Sequence, residues 1–179
     1  DVRRLGGKAK INPPIRPRAE VEKLWNQVEA GNVTLVSTDH VSWSENRKTD
    51  PDMLQNSSGV PGLEAMVPLF VKGLLERHLP LTWAAKLMAE NPARHFRLTH
   101  AKGALEVGKD ADIAVLVDRP TIYDAAASGH NVVGWSPYNG IHLPRTVDAT
   151  WLRGKLAFDG TRVLSEPGAG RWLRPEVRR

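Results

Sequence analysis

Apolar residues in the first third of the chain recur first with the spacing of a helix and then as one continuous run. Four of them fall at positions i, i+3, i+4 and i+7, namely Val21, Leu24, Trp25 and Val28. This spacing predicts an amphipathic helix with Pro17 in its first turn and Gly31 just after its end. The run at residues 33–36 is typical of a strand buried on both faces. Residues 9–12 predict a short extended segment that two following prolines end, so the order strand, helix, strand predicts a βαβ unit.

A second apolar helix is predicted after a loop that is rich in glycine and proline. Its broad apolar face comprises Met66, Val67, Phe70, Val71, Leu74 and Leu75. Pro68 is expected in the first turn of this helix or at a kink. Thr82 has the residue type of an N-cap and predicts a further helix, and Asn91 with Pro92 predicts the start of another.

From Gly103 onward the pattern changes to short runs of strand-forming residues between tight turns. Residues 103–107 predict a strand, residues 108–110 a tight turn, and residues 113–117 a buried strand. The later stretch 147–163 repeats this pattern, with turns at residues 154–155 and 159–160. We expect a small β module with too few strands to close a sandwich by itself.

Composition excludes several classes of protein. Hydrophobic residues make up 41% of the chain and charged residues 25%, which are values of a globular protein. No apolar run approaches the roughly 20 residues of a membrane span, and the first residues lack a signal-peptide pattern. We therefore expect a cytoplasmic protein with no membrane partner. The chain begins at Asp1 without a methionine, which suggests a piece of something longer.

Charge and cysteine content limit the partners and the metals. The net charge is +5, but the basic residues gather near the two ends without a nucleic-acid-binding motif. We therefore expect no nucleic-acid partner. The chain has no cysteine, which excludes disulfides and thiolate metal sites within it. A metal here needs histidine and carboxylate ligands.

Asp39 and His40 are the functional candidates that the pattern itself indicates. They follow the predicted strand directly, and active sites of (β/α) barrels and open α/β sheets lie at the carboxyl ends of the strands. Both side chains can bind a metal or move a proton. The alternative is that Asp39 merely caps the next turn, as aspartate commonly does.

Six blocks of sequence occur in the order in which they resemble the carboxyl-terminal half of the cyclic amidohydrolases. The blocks are KINPPIRP, VSTDH, SGVPGLEAMVPL, NPARHF, GALEVGKDADIAVL and SPYNG. This group comprises dihydroorotases, hydantoinases, dihydropyrimidinases and allantoinases. The GKDADI block alone resembles the wider amidohydrolase superfamily, whereas six blocks in one order are strongly specific. The resemblance covers about residues 8–160.

The resemblance implies an α/β fold, with the last strands and helices of a (β/α)8 TIM barrel and the carboxyl-terminal strands of a small β-sandwich domain. It assigns residues 1–102 to the barrel part, 103–165 to the strands of the small domain with a connecting segment, and 166–179 to a basic tail. A (β/α)8 barrel usually takes about 250 residues, so this chain cannot close one by itself. We expect it to associate with a missing amino-terminal half or as a homo-oligomer.

The resemblance also implies hydrolysis of a small cyclic amide by a hydroxide held between two metal ions, usually zinc. Most metal ligands of the family lie in earlier strands and are absent from this chain. Asp39 matches the aspartate of the last barrel strand, which binds one metal and shuttles a proton, and His40 is expected to support it or its loop. Asn12 matches a position that contacts the substrate ring. Ser58 and Gly59 match the loop whose backbone touches the ring amide.

Trp43 departs from the dihydroorotase pattern. It stands where dihydroorotase-like members carry a histidine that helps to hold the substrate carboxylate. An aromatic residue there favours the hydantoinase and dihydropyrimidinase pattern, whereas the Asn-Pro-Pro at residues 12–14 favours dihydroorotase, so the substrate stays open. Two functions remain: a catalytic cyclic amidohydrolase, or a non-catalytic amidohydrolase-like scaffold or assembly partner.

Overall fold

A computed structural model describes residues 2–176 of the 179-residue chain. The chain forms two compact units, each assembled from separate stretches of sequence. The first unit contains the residues up to Asn32, Ser37–Leu69 and Thr121–Leu143. The second unit contains Val33–Val36, Phe70–Pro120 and the residues from Pro144 onward. The predicted division into a barrel part, a small β domain and a basic tail stays a prediction, and residues 177–179 of that tail lie outside the described residues.

Short helices make up much of the chain between residues 2 and 95. The α-helices are α1 (Val2–Leu5), α2 (Arg18–Glu29), α3 (Met66–Glu76), α4 (Thr82–Ala85) and α5 (Asn91–His95). 3-10 helices cover Gly6–Ala9, Glu45–Lys48 and Met53–Gln55. A π-helical turn, Lys86–Glu90, joins α4 to α5.

Two small antiparallel sheets follow the helices. Their strands are β1 (Ile113–Val117), β2 (Thr121–Ile122), β3 (His142–Leu143), β4 (Thr146–Leu152) and β5 (Lys155–Phe158). The larger sheet has the order β1-β4-β5, and β2 pairs with β3. The chain is therefore an α/β protein whose strands come late in the sequence.

Helix α2 confirms the first predicted helix. It starts directly after Pro17, which is its N-cap residue rather than part of its first turn as predicted. Gly31 after its end has a φ of 77°. The Gly31 N–H bonds to the Val28 carbonyl at 3.0 Å. The Asn32 N–H bonds to the Gln27 carbonyl at 2.9 Å. These two bonds form a Schellman motif, in which glycine is favoured because it adopts a positive φ without strain.

Helix α3 confirms the second predicted helix and its apolar face. Phe70, Val71 and Leu74 on that face are buried, and Pro68 lies in the first turn as predicted. A proline is tolerated there because the first N–H groups of a helix have no partner within it.

The predicted start of the next helix is wrong by one residue. Thr82 is the first residue of α4 rather than its N-cap, and Leu81 before it provides no side-chain cap. The prediction for Asn91 and Pro92 is confirmed, because α5 begins at Asn91 with Pro92 in its first turn. The Asn91 N–H bonds to the carbonyl of Lys86, five residues back, so α5 continues directly from the π-helical turn. The π turn thus carries one helical run through to α5, directly before Pro92, which has no N–H to donate to a regular ladder.

The two strands predicted before residue 40 are absent from the described residues, so the predicted βαβ unit is wrong for them. Ala9 ends a 3-10 helix and residues 10–12 form no strand. Residues 33–36 also form no strand and are at most half-buried. Within the second unit, the Val36 N–H bonds to the Leu87 carbonyl at 3.1 Å and the Asn91 side chain donates to the Thr34 carbonyl at 2.7 Å. A strand needs a neighbour to complete its ladder, and here the helical run supplies the partners instead.

The β module confirms the strand at residues 113–117 and the hairpin at residues 146–158. The hairpin turn is formed by Arg153 (φ 50°) and Gly154 (φ 74°), one residue earlier than predicted. Two consecutive positive φ values match the type I′ turn that two-residue hairpins favour. The strand predicted at residues 103–107 is wrong, and β1 is half-buried to exposed rather than buried.

An ammonium group fixes the loop before β1. Lys102 is hydrogen-bonded to Asp112 and lies 2.9 Å from a carboxylate oxygen of Asp110. Burial alone lowers the pKa of Lys102, but the hydrogen bonds to Asp112 and Asp110 outweigh it, so that its pKa is raised. The hydrogen bond from Lys102 lowers the pKa of Asp110. These are the two aspartates of the GKDADI block.

In the first unit, a small apolar cluster holds the strands β2 and β3 against the start of α3. It comprises Ala65, Tyr123, Ala125 and Leu143, with Leu69, Tyr138 and Ile141 packed against it. The Tyr123 hydroxyl donates to a carboxylate oxygen of Glu64 at 2.9 Å. Burial, followed by this hydrogen bond, raises the pKa of Tyr123 to about 12.

No helix within residues 2–176 is long and apolar enough to span a bilayer.

Candidate functional site

Asp39 presents a free carboxylate from an unusual backbone conformation. Its φ is 46°, in the left-handed region, and the residue is exposed. Aspartate is one of the few residues besides glycine that enter this region at modest cost. No other side chain or backbone group in the part of the chain that the structure describes bonds to its carboxylate. Asp39 therefore does not cap the following turn, and its carboxylate is available to another partner.

His40 ties the residues after Asp39 to a second loop. Its Nδ1 accepts the N–H groups of Gly62 at 3.1 Å and Leu63 at 3.2 Å. Its Nε2 lies 2.8 Å from the Ser42 hydroxyl. Because Nδ1 accepts two bonds, the ring proton resides on Nε2 and points at Ser42. Both ring nitrogens are thus engaged by the protein, and neither is free to bind a metal.

Trp43 fixes the loop that was predicted to touch the substrate. Its indole N–H donates to the Ser58 carbonyl at 2.7 Å. The guanidinium of Arg47 stacks over the Trp43 ring at 4.1 Å from the ring centroid, and its Nε donates to the Ser57 hydroxyl at 2.9 Å. The segment that follows Asp39 therefore holds residues 57 and 58 from one side.

Lys48 is the buried cation of this region, and sequence reasoning missed it. Only 1% of its surface is exposed, and its ammonium donates to the carbonyls of Lys10 (2.9 Å), Ser57 (2.7 Å) and Gly59 (3.0 Å). Burial lowers its pKa, and the charge of Lys10 lowers it further. The polar stretch SENRKTD around it gave no sign of burial, because lysine is among the residues that are rarely buried.

Gly59 occupies a position that a larger residue does not fit. Its φ is 107°, and a Cβ there would lie 2.6 Å from a methyl carbon of Val41. The Gly59 N–H bonds to the Lys10 carbonyl at 3.0 Å, and the Val41 N–H bonds to the Val60 carbonyl at 3.0 Å. The hydroxyl of Ser58 is buried without a partner among the described residues.

Asn12 lies two residues beyond Lys10, whose carbonyl joins the same network. Asn12 is exposed, and its side chain has no hydrogen-bond partner between residues 2 and 176. The peptide bond to Pro13 is cis. Hydrogen bonds thus connect the segment that carries Asp39 and His40 to the loop that carries Ser58 and Gly59. The Lys10 carbonyl connects the segment leading to Asn12 to the same loop.

These residues do not complete a metal site. The described part of the chain holds no group of three or more histidine, aspartate or glutamate side chains that could bind a metal ion. Asp39 has the right chemistry for one ligand, whereas His40 is occupied. A catalytic zinc takes about three protein ligands, so the other ligands of a predicted zinc pair must lie outside these residues.

Comparisons with known proteins show that the chain matches part of longer relatives. An allantoinase of Rubrobacter xylanophilus is 40% identical over 177 residues, which cover 98% of this chain and 38% of the relative. A dihydroorotase of Methanosarcina mazei is 34% identical over 174 residues, covering 97% of this chain and 38% of the relative. A solved D-hydantoinase superposes with a TM-score of 0.88 at 30% identity, over 96% of this chain and 38% of that one.

The chain thus spans a little over a third of the length of the relatives that it matches. The profile of the Amidohydrolase family matches residues 11–157, which include Asp39 and the loop at residues 57–59. This match covers most of the chain, and the six sequence blocks lie within it or at its edges. The chain therefore belongs to the amidohydrolase family.

Proposed function

We propose that this chain is the part of a zinc-dependent cyclic amide hydrolase that supplies the proton-shuttling carboxylate and the loop against which the substrate ring is bound. The observation that carries the proposal is the carboxylate of Asp39, which is exposed and has no partner among residues 2–176. It lies at the start of a segment that side chains hold in place. A carboxylate that bonds to no other described group, on a residue in the left-handed backbone region, indicates a functional site more strongly than a turn cap.

In the complete site, Asp39 would bind one of two zinc ions, which supply an activated water. The task of Asp39 itself is to accept a proton as the amide carbonyl is attacked and to return it to the leaving nitrogen. A carboxylate suits this role because it has two oxygens, so that one could bind a metal while the other accepts a proton. His40 serves by fixing the loop, since both its ring nitrogens are engaged.

Ring binding is assigned to the loop at residues 57–59 and to Asn12. The Ser58 carbonyl is already bound by Trp43, which leaves its second lone pair and the backbone N–H for a ring amide. Asn12 offers both a donor and an acceptor from an exposed side chain. This arrangement suits a small neutral ring that carries adjacent N–H and C=O groups.

The substrate class follows from Trp43. Its indole N–H is used by Ser58, so the side chain offers no charge to a substrate carboxylate. We expect hydantoin-like or dihydropyrimidine-like rings to be hydrolysed with a higher kcat/KM than dihydroorotate, which carries a carboxylate. A clear preference for dihydroorotate in the same assay contradicts this assignment.

The chain alone should neither hydrolyse cyclic amides nor bind two zinc ions tightly, because no group of three or more possible metal ligands lies within residues 2–176. We expect it to act with the remaining two thirds of the fold, a (β/α)8 barrel with a small β-sandwich domain, or as a homo-oligomer. A monomer of this chain that carried stoichiometric zinc and hydrolysed a cyclic amide would overturn this expectation.

The decisive experiment replaces Asp39 by asparagine in the full-length protein that carries this chain. Asparagine also tolerates a positive φ, so the fold should be retained. We expect kcat/KM for the preferred ring to fall by about 10²–10⁴-fold, the usual contribution of a general acid–base group. Asp118→Asn, at an exposed carboxylate paired with Arg145, is the control and should leave kcat/KM unchanged. A wild-type protein that hydrolyses no ring of the hydantoin, dihydropyrimidine, dihydroorotate or allantoin type would instead favour the scaffold function.

A further inference from the structure

The ammonium of Lys48 joins the segment that contains Lys10 to the loop at residues 57–59, which is distant from it in sequence. It has three N–H donors, and each is used by a different carbonyl, those of Lys10, Ser57 and Gly59. No donor is left over, and the side chain is shielded from water. A buried ammonium that is fully paired with carbonyls is costly to replace, because removing it leaves several buried acceptors without a donor.

The carbonyls of Ser57, Ser58 and Gly59 all accept hydrogen bonds from side chains. Those of Ser57 and Gly59 point at Lys48, and the one between them accepts the indole N–H of Trp43. The carbonyl of Ser58 thus has a different donor from the carbonyls of its two neighbours, and all three carbonyls of the loop are held by side chains. The backbone orientation of Ser58 is therefore set by two side chains of the preceding loop.

We propose that Lys48 is a positioning residue, whose ammonium sets the orientation of the loop at residues 57–59 for binding of the substrate ring. This inference rests on the proposed function for the identity of the ligand. Lys48 does not touch the substrate in this proposal. It acts on ring binding through Ser58 and through the Lys10 segment that leads to Asn12.

The first test measures amide hydrogen exchange in this chain after Lys48→Met, which keeps an unbranched side chain of similar length and removes the ammonium. The Gly59 amide, bonded to Lys10, should exchange at least tenfold faster. The Leu69 amide, bonded to Ala65 within the same unit, should change little. Equal acceleration of both amides would show a general loss of stability and would overturn the proposal.

Chemical rescue separates the ammonium from the packing of the side chain. The chain has no cysteine, so Lys48→Cys introduces a single thiol. The thiolate sulfur displaces bromide from 2-bromoethylamine, forming an S–C bond and releasing bromide and the thiol proton, which yields a lysine analogue of the same length. The alkylated protein should regain the slow exchange of Gly59, whereas unmodified Lys48→Cys should not. Failure of the amine to restore protection contradicts a role for the charge.

The functional readout is the division between KM and kcat in the full-length protein. Loss of an interaction that aids ring binding alone raises KM and leaves kcat nearly unchanged. We expect Lys48→Met to raise KM for hydantoin at least tenfold, with kcat within about threefold of wild type. Lys23→Met, at an exposed lysine of α2, is the control and should change neither.

The outcomes separate this inference from the proposed function. If the wild-type protein hydrolyses no ring, the proposed function fails, and calorimetric affinity for hydantoin replaces KM as the readout for Lys48. Faster Gly59 exchange together with an unchanged KM or affinity overturns the positioning role. An inability of the wild-type protein to bind any ring overturns both.

Discussion

Replacement of Gly59 by alanine tests whether the backbone of the candidate ring-binding loop is as constrained as its contacts indicate. The φ of Gly59 is 107°, a value that residues with a Cβ rarely adopt. A Cβ at this position would lie 2.6 Å from Cγ2 and 2.8 Å from Cβ of Val41. The substitution therefore introduces both a strained backbone and a steric overlap.

The expected loss in the free energy of unfolding follows from these two effects. A residue held in a sparsely populated backbone region costs about 1–3 kcal/mol. Forcing an extra carbon into a packed position costs typically about 1–3 kcal/mol more. We therefore expect Gly59→Ala to lower the free energy of unfolding by roughly 2–6 kcal/mol, a large part of the about 5–15 kcal/mol of a typical domain.

Gly31 provides a matched control for the backbone term. Its φ is also positive, at 77°, but a Cβ there would meet no heavy atom within 4 Å. Gly31→Ala should therefore cost only the conformational term of about 1–2 kcal/mol. Urea unfolding followed by circular dichroism measures both variants. For a chain of this size, each kcal/mol corresponds to about 2–4 °C in melting temperature, which gives a second measure.

The stabilities of Gly59→Ala and Gly31→Ala together test whether Val41 constrains the loop. If Gly59→Ala costs no more than Gly31→Ala, the contact with Val41 is not a constraint and the loop at residues 57–59 rearranges at little cost. The assignment of Ser58 and Gly59 to ring binding would then lose its structural basis, since a loop that adapts freely does not hold a ring in one orientation.

Three further substitutions test other contacts. Trp43→Phe removes the indole donor to the Ser58 carbonyl and should lower the free energy of unfolding by about 1 kcal/mol in urea titrations; an unchanged midpoint contradicts that bond. His40→Ala removes the acceptor of the Gly62 and Leu63 N–H groups, whose hydrogen exchange should accelerate at least tenfold. Unchanged exchange rates contradict a role of His40 in holding this loop. Lys102→Met should lower the melting temperature at pH 7. The difference in melting temperature between Lys102→Met and wild type should become smaller below pH 3.8. The lowered pKa of Asp110 contributes stability at higher pH, and this stability is lost as pH falls through that pKa. A difference that is the same at all pH values contradicts the ion pair between Lys102 and Asp110.

The sequence predicted those elements whose stability is local. Helix α2, with its Schellman end at Gly31, and the hairpin around Gly154 depend on residues close together in the chain. Their capping and turn residues are therefore visible in the pattern. The strand at residues 113–117 was likewise predicted, although its degree of burial was not.

The predicted strands before residue 40 failed for a nonlocal reason. An apolar run such as residues 33–36 specifies a strand only if other strands lie beside it. Here the described partners are the Leu87 carbonyl and the Asn91 side chain, which the pattern at residues 33–36 could not reveal. The resemblance to cyclic amidohydrolases identified the family more reliably than it identified the strands within this chain.

Lys48 shows why a candidate site is only partly visible in sequence. Asp39 and His40 were found because they are chemically active residues at the end of an apolar run. The carbonyls that Lys48 binds belong to residues 10, 57 and 59, so its role exists only after the chain has folded. A buried lysine among polar neighbours cannot be told from an exposed one by periodicity.

The residues after Asp39 hold their neighbours by side chains rather than by a continuous backbone ladder. His40 accepts from the loop at residues 62–63, Trp43 donates to Ser58, and Lys48 donates to the residues on either side of Ser58. A ladder tolerates most side chains because the backbone forms its bonds, whereas each of these bonds depends on one residue type. Substitutions in this short segment can therefore reshape the loop at residues 57–59 while the helices and strands stay unchanged. If that loop binds the ring, substitutions in this segment should change substrate preference in this protein without changing its fold.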